Sequence, residues 1–308
     1  MPTQSQFEAR KVAGEPRFAF GQNWRKFLAA LNEERILEAE KSLCVALECD
    51  SLAGQSFLDL GSGSGLFSLA ARRLGARVHS VDYDPDAVKC TSALRHRYFR
   101  DDPHWTVAHG SVLDLPYLQS LGTFDIVYSW GVLHHTGAMW QALEHACVPV
   151  SPDGGTLFIS IYNDQGRRSR IWRRTKRLYN QMPRVLRFTL LVPELLRAWG
   201  PSSVVDLLRG HPFEQWRTYS RNRGMSAWRD VVDWVGGYPF EVAKPEEIFA
   251  FCRRRGFTLE HLKTWGRGHG CNEYVFRFAG AHSAAQLAAP TVIANALGPA
   301  PAGDGGGA

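Results

Sequence analysis

No apolar run in the chain reaches the roughly 18 residues that a membrane-spanning helix needs. The stretch from Met1 to Gly14 lacks the apolar centre of a signal peptide, so no secretory targeting is expected from it. Cysteine is sparse: Cys44, Cys49, Cys90, Cys147, Cys252 and Cys271 are scattered, with no C-x-x-C pair. That pattern argues against a disulfide framework or a structural zinc site and predicts reduced thiols and a cytoplasmic location. No H-E-x-x-H pattern occurs, and no metal is expected. Acidic residues are absent from one stretch, Arg167 to Arg187, which carries nine basic residues. Take those nine from the net charge of +6 and the remainder of the chain sums to −3. The protein therefore reads as mildly acidic with one basic segment, not as generally basic.

What is present is enough for an ordinary core: 44% of the 308 residues are hydrophobic. Residues 1–16 read as an N-terminal tail, and 279–308, rich in Ala, Pro and Gly, as a disordered one. Between them the pattern predicts a helix over Asn23–Leu47, capped by Asn23. Short apolar runs then alternate with helical stretches. Strands are expected at Ser56–Leu60, Ala76–Val81, Trp105–His109, Phe124–Trp130 and Gly155–Tyr162. The alternation breaks over 163–244 and resumes with a helix at Pro245–Arg255 and strands at Phe257–Lys263 and Asn272–Phe278. The expected fold is α/β: a doubly wound, mostly parallel, seven-stranded sheet built from 17–162 and 245–278, with 163–244 inserted after strand five as a helical cap.

The most informative stretch is Asp59-Leu60-Gly61-Ser62-Gly63-Ser64-Gly65, an apolar strand running into alternating glycines with a helix behind. Glycine lets the backbone approach a ligand closely, and the helix start offers unpaired N–H groups. The dinucleotide fingerprint would place its third glycine at position 66, which is Leu66. Asp59 at the strand end would repel a pyrophosphate but attract an ammonium group. Asp82 ends the second strand, where a carboxylate can accept both hydroxyls of a ribose. Together they describe a site for a nucleoside joined to an amino acid.

With Val81-Asp82 and the run from Phe124 to His135, this stretch resembles the class I S-adenosylmethionine-dependent methyltransferases, and within them the subgroup acting on small molecules and quinone-like lipids. The resemblance implies that Asp59, Gly61, Ser62, Gly63 and Gly65 hold the methionine end of S-adenosylmethionine. It further implies that Asp82 holds the ribose, with Tyr83, Ser111 and Val112 around the adenine and Trp130 close by. Many relatives have Gly-Asp where this chain has Gly110-Ser111, so the adenine amino group is assigned to Ser111 or Asp114. The implied activity is methyl transfer to a small-molecule acceptor, lipid-like or anionic. An RNA methyltransferase using 167–187, and a scaffold that binds the cofactor without transferring a methyl, are the alternatives.

Ligands of open α/β sheets bind outside the carboxyl ends of the strands, which directs attention to the loops there. His134 and His135 follow strand four; either is a general base or a structural side chain, and adjacent residues on a helix would not face the same way. Tyr162 closes strand five, and His269 lies in the glycine-rich turn between strands six and seven. The same resemblance implies that the segment before strand one, with Trp24 and Phe20, either folds over the cofactor as a lid or simply packs, and Tyr219 and Arg221 belong to an aromatic and arginine-rich part of the cap. Trp24, Tyr162, Tyr219, Arg221 and His269 are the expected substrate contacts. In the basic segment Ile171, Leu178 and Val185, with Trp172, Tyr179 and Leu186 one step on, predict an apolar stripe kinked at Pro183. Either that stripe packs on the sheet, or the segment makes peripheral contact with anionic lipid over 167–193 or gathers an acidic substrate.

Overall fold

The structure, a computed structural model, describes residues 28, 31–217, 227–265 and 270–280. In chain order its elements are α1 (Glu33–Leu47), β1 (Ser56–Leu60), α2 (Leu66–Arg73), β2 (Arg77–Asp82), α3 (Pro85–Tyr98), β3 (Trp105–His109), α4 (Leu115–Ser120), β4 (Ile126–Trp130), α5 (Met139–Cys147), β5 (Thr156–Tyr162), α6 (Arg167–Gln181), α7 (Phe188–Leu208), α8 (Ala227–Gly236), α9 (Pro245–Arg253), β6 (Phe257–Lys263) and β7 (Cys271–Phe278). The strands form a seven-stranded sheet in the order β3-β2-β1-β4-β5-β7-β6. β1 to β5 pair in parallel, and β7 runs antiparallel between β5 and β6.

Both faces of this sheet are covered, which is why its central strands read as continuous apolar runs instead of alternating ones. On one face Leu58, Leu60, Val127, Leu157, Ile159 and Phe276 pack with side chains of α5 and α9. On the other, Phe57, Val78, Tyr128, Phe158 and Val275 meet α1, α2 and Trp105. Each such side chain, fully buried, contributes roughly 1.5–3 kcal/mol, so β5 alone anchors the domain through Leu157, Phe158, Ile159 and Ile161.

The first helix differs from the sequence expectation. Leu31 and Asn32 are not helical, and the helix begins at Glu33. Asn32 is its cap, its side chain accepting the Arg35 N–H at 3.1 Å, and Glu33 and Glu34 occupy the positive first turn. Asn23, expected as the cap, lies outside the described residues.

The cap is helical as expected, but its stripe divides. α6, α7 and α8 share a small core of Tyr179, Leu191, Val231 and Val235, flanked by Trp172, Trp199 and Trp234. Tyr179 is buried and Trp172 partly so, whereas Ile171, Leu178, Val185 and Leu186 are exposed. The two sets of residues are therefore not one buried stripe. Neighbours in a helix point about 100° apart, and of the six residues only Trp172 and Tyr179 are turned inward by α6. At Pro183 the chain does not kink but stops: α6 ends at Gln181, Met182 is extended, and a 3-10 turn covers Arg184–Leu186.

The end of the insertion is stitched to the sheet. The Ala243 N–H donates to the Tyr162 carbonyl at 3.1 Å and the Asp164 N–H to the Ala243 carbonyl at 3.1 Å. Ala243 itself is buried in the core beneath β5. Among the described residues no helix is long and apolar enough to cross a membrane.

Candidate active site

The loop after β1 is shaped by what a side chain would strike. Gly61 has φ +88°, and a Cβ there would lie 2.3 Å from Cγ2 of Val132. Gly65, at the start of α2, has φ +83°, and its Cβ would come within 2.9 Å of the Thr91 Cα. Only glycine fits both the conformation and the space. The Gly61 and Ser62 N–H groups donate to the Val81 carbonyl at 2.7 and 3.1 Å, and Ser62 Oγ is 3.0 Å from Thr91 Oγ1. The loop is thus clamped between β2, α3 and the segment after β4.

Asp82 closes the clamp. Its Oδ2 accepts the Gly63 N–H and its Oδ1 the Asp84 N–H, each at 2.8 Å. Burial raises its pKa, and those two N–H groups work against the rise. A carboxylate oxygen has two lone pairs, so each retains capacity for a further donor. Beside it, Tyr83 is exposed and stacks at 6.1 Å on His109, whose Nε2 lies 2.9 Å from the Tyr83 carbonyl oxygen. Ser111 Oγ accepts the Leu113 N–H, Asp114 caps α4 through the Tyr117 N–H, and buried Val112 has its carbonyl 3.0 Å from His145 Nδ1.

Asp59 is placed differently from the loop it precedes. It is buried, accepting from Ser68 Oγ at 2.5 Å; Ser68 and Ser80 hydroxyls are 2.7 Å apart, and Trp105 Nε1 donates to Ser80. This polar chain runs into the core on the α2 side. Burial pushes the Asp59 carboxyl up to about 7; the Ser68 hydrogen bond opposes the shift and the Asp82 charge adds to it.

At the ends of β4 and β5 the side chains converge. Trp130 is exposed, its Nε1 3.3 Å from Glu273 Oε1, and the Gly131 N–H donates to Ser160 Oγ at 2.8 Å. His134 and His135 lie in a 3-10 turn, Leu133–His135, not on a helix. In that turn both rings reach Tyr162, at 4.1 and 5.6 Å between centroids, and lie 4.6 Å from each other. The expectation that neighbours would diverge is corrected by the tighter turn. Neither ring nitrogen of His134 makes a well-formed hydrogen bond. Burial, with the His135 charge next, drives its pKa well below the usual value, while the Ser160 backbone pulls the other way. His135 Nδ1 lies 2.5 Å from the Pro239 carbonyl oxygen; burial brings its pKa down to about 4, and that carbonyl opposes the fall. Both rings are neutral at pH 7.

Across from the histidines, the cap contributes a side chain that the basic run concealed. Lys176 is fully buried, with Nζ 4.0 Å from the Trp234 ring centroid and 4.8 Å from that of Phe240, donating to the Trp234 carbonyl. Burial lowers its pKa to about 7, against the pull of Glu194 and Asp233. Next to this cluster a cavity of about 410 Å³ opens, lined by Tyr162, Arg168, Ile171, Trp172, Trp234 and Phe240 among others. Of the expected substrate contacts, Tyr162 lines it; Trp24, Tyr219, Arg221 and His269 lie outside the described residues. Among the described residues no group of three or more His, Cys, Asp or Glu side chains could hold a metal ion.

Residues 58–159 match the family described as "Methyltransferase domain". The chain is 36% identical over 113 residues to a ubiquinone biosynthesis O-methyltransferase of Xanthomonas campestris, covering 37% of this chain and 45% of that protein. It is 34% identical over 139 residues to the protein of the same name in Xanthomonas euvesicatoria, covering 45% of this chain and 53% of that one. The chain therefore spans about half the length of these curated relatives. Among solved structures, an O-methyltransferase family protein from Burkholderia thailandensis aligns with a TM-score of 0.50 at 16% identity, over 90% of this chain and 69% of that one, a likeness of fold.

Proposed function

We propose that this chain, a class I methyltransferase fold with a methyltransferase domain at residues 58–159, transfers a methyl group from S-adenosylmethionine to a small-molecule acceptor. One observation carries the reading: the glycine cradle is locked by its own N–H onto Asp82, leaving the carboxylate able to accept two more hydrogen bonds, as a ribose diol requires. The residues fit the cofactor. The Gly61–Gly65 loop would hold its methionine end, Asp82 would take the ribose, and Tyr83, Ser111 and Val112 would bound the adenine. Trp130 flanks the same edge of the sheet. Asp59, turned into the core, acts on the ammonium group through its charge.

The cofactor supplies an activated methyl on a sulfonium, so the protein's main task is alignment. The acceptor occupies the cavity between Tyr162 and the cap, apolar walls with Arg168 at the side, which suits an apolar or anionic molecule. The relatives named for ubiquinone biosynthesis support a quinone-like or lipid-like acceptor. A hydroxyl acceptor must lose its proton. The packing of His134 and His135 on Tyr162, which lines the cavity, supports one of the two as the base that takes it.

The test has two parts. Calorimetry with S-adenosylhomocysteine should show saturable binding, and NADH none. Incubation with methyl-labelled cofactor and fractionated small-molecule extract should label a low-mass product. No binding overturns the site; binding without any labelled product assigns the chain as a cofactor-binding scaffold.

A further inference from the structure

The arginines of 167–187 go beyond what methyl transfer needs. Within the nine basic side chains Lys176 is buried, Arg173 donates to the Phe240 carbonyl, and Arg187 covers the Tyr179 ring and donates to the Met182 carbonyl. Arg167, Arg168, Arg170, Arg174, Arg177 and Arg184 are exposed. No acidic residue occurs between Asp164 and Glu194.

The same segment exposes aliphatic surface that its own core does not use. α6 turns Trp172, Lys176 and Tyr179 inward at helical spacing, so Ile171 (56% exposed) and Leu178 (49%) point away. The turn that follows presents Val185 (76%), and α7 adds Phe188 and Leu196 while burying Leu191 and Glu194. An aliphatic stripe flanked by arginines is what a helix lying in a membrane interface presents.

We infer that α6, the Arg184–Leu186 turn and the first half of α7 form a docking surface for an anionic lipid bilayer. The aliphatic side chains enter the boundary between headgroups and acyl chains, and the exposed arginines meet the anionic headgroups. Lipid is favoured over nucleic acid by the side chains themselves: Ile171, Leu178 and Val185 gain from hydrocarbon but offer no surface on which a base can stack. Ile171 and Arg168 also line the cavity, so docking brings its rim to the bilayer. The inference does not rest on methyl transfer, since binding to lipid needs no cofactor.

The experiment is co-sedimentation of the full chain with phosphatidylcholine vesicles, plain or containing about 30% phosphatidylglycerol. At low salt, pelleting with anionic vesicles should exceed that with neutral ones by at least about tenfold, and should fall near about 0.5 M salt. Leu178→Asp with Val185→Asp, and separately Arg170→Glu with Arg174→Glu, should each cut it by about tenfold while leaving thermal stability and S-adenosylhomocysteine affinity unchanged. Val185→Asp alone, at the most exposed position, serves if the double variant is unstable. Negligible pelleting on both vesicles overturns the inference. So does a dimer dissolved by Val185→Asp, which assigns the stripe to a second copy. RNA binding that survives the aspartate changes and outcompetes vesicles assigns the arginines to nucleic acid.

Discussion

Asp82 holds Gly63 by a 2.8 Å hydrogen bond from its backbone N–H, so the acid at the end of β2 and the glycine loop after β1 are one unit. Asp82→Ala should therefore weaken binding of S-adenosylhomocysteine by roughly 1.5–3 kcal/mol, the range for a hydrogen bond to a charged group, with added loss from loosening the loop. Isothermal calorimetry measures it. Unchanged affinity would dismiss Asp82 as the ribose acceptor.

Asp59 gives a pH signature. Its folded pKa is raised from 3.8 to about 7, so the folded chain holds more protons than the unfolded one between those values. Its contribution to stability is fully present below pH 3.8 and is lost as pH rises toward 7. Asp59→Asn should remove this dependence and raise the melting temperature at pH 8. By the proposed role, it should also weaken cofactor binding there. Scanning calorimetry across pH 4–8 reads the first effect and titration calorimetry the second. A variant less stable than the parent at pH 8 would contradict the burial argument.

Lys176 behaves in the opposite sense. Its folded pKa is lowered from 10.5 to about 7, so the unfolded chain holds more protons between those values. The penalty of burying its charge is complete below pH 7 and disappears as pH rises toward 10.5. Lys176→Met keeps the apolar stem between Trp234 and Phe240 and removes the charge. It should stabilise the protein at pH 6 by on the order of 1–3 kcal/mol, with little effect at pH 10. Denaturant titrations at the two pH values compare the variants.

His134→Ala and His135→Ala separate base from scaffold. Loss of a general base should lower kcat by about 10²–10⁴-fold with cofactor affinity intact. Because the pKa of His135 lies near 4, a rate that depends on it should hold through pH 6 and fall only toward 4. An acid limb centred near 6.5 would point to a base other than His135. Full activity in both single variants would exclude the pair.

Much of this was legible in the sequence because its signals are local. The β1 run, the alternating glycines and Asp82 each carry their own geometry, and the strand sequence follows from period and turn residues. The helix expected from Asn23 to Leu47 is interrupted at Leu31 and Asn32; Asn32, with the Glu33-Glu34 pair behind it, was the signal for the helix that begins at Glu33. Lys176 was hidden by its neighbours' charge, although its spacing from Trp172 and Tyr179, four before and three after, puts it on the buried face of α6. The convergence of His134, His135 and Tyr162 depends on a tertiary stitch more than a hundred residues away in sequence, between His135 and Pro239. No local pattern encodes it.

That stitch fixes where the cap could be exchanged for another. Pro239 holds His135, the Glu241 N–H donates to the His134 carbonyl, Glu241 Oε2 accepts the Met139 N–H, and Ala243 pairs with Tyr162 and Asp164. By connectivity 239–243 belongs to the insertion, but by bonding it is part of the edge that carries the histidine turn. A chimera cut at 163 and 244 would import a foreign strap and lose the histidine turn. One cut before 239 would carry a new cap and a new cavity wall on an intact histidine turn.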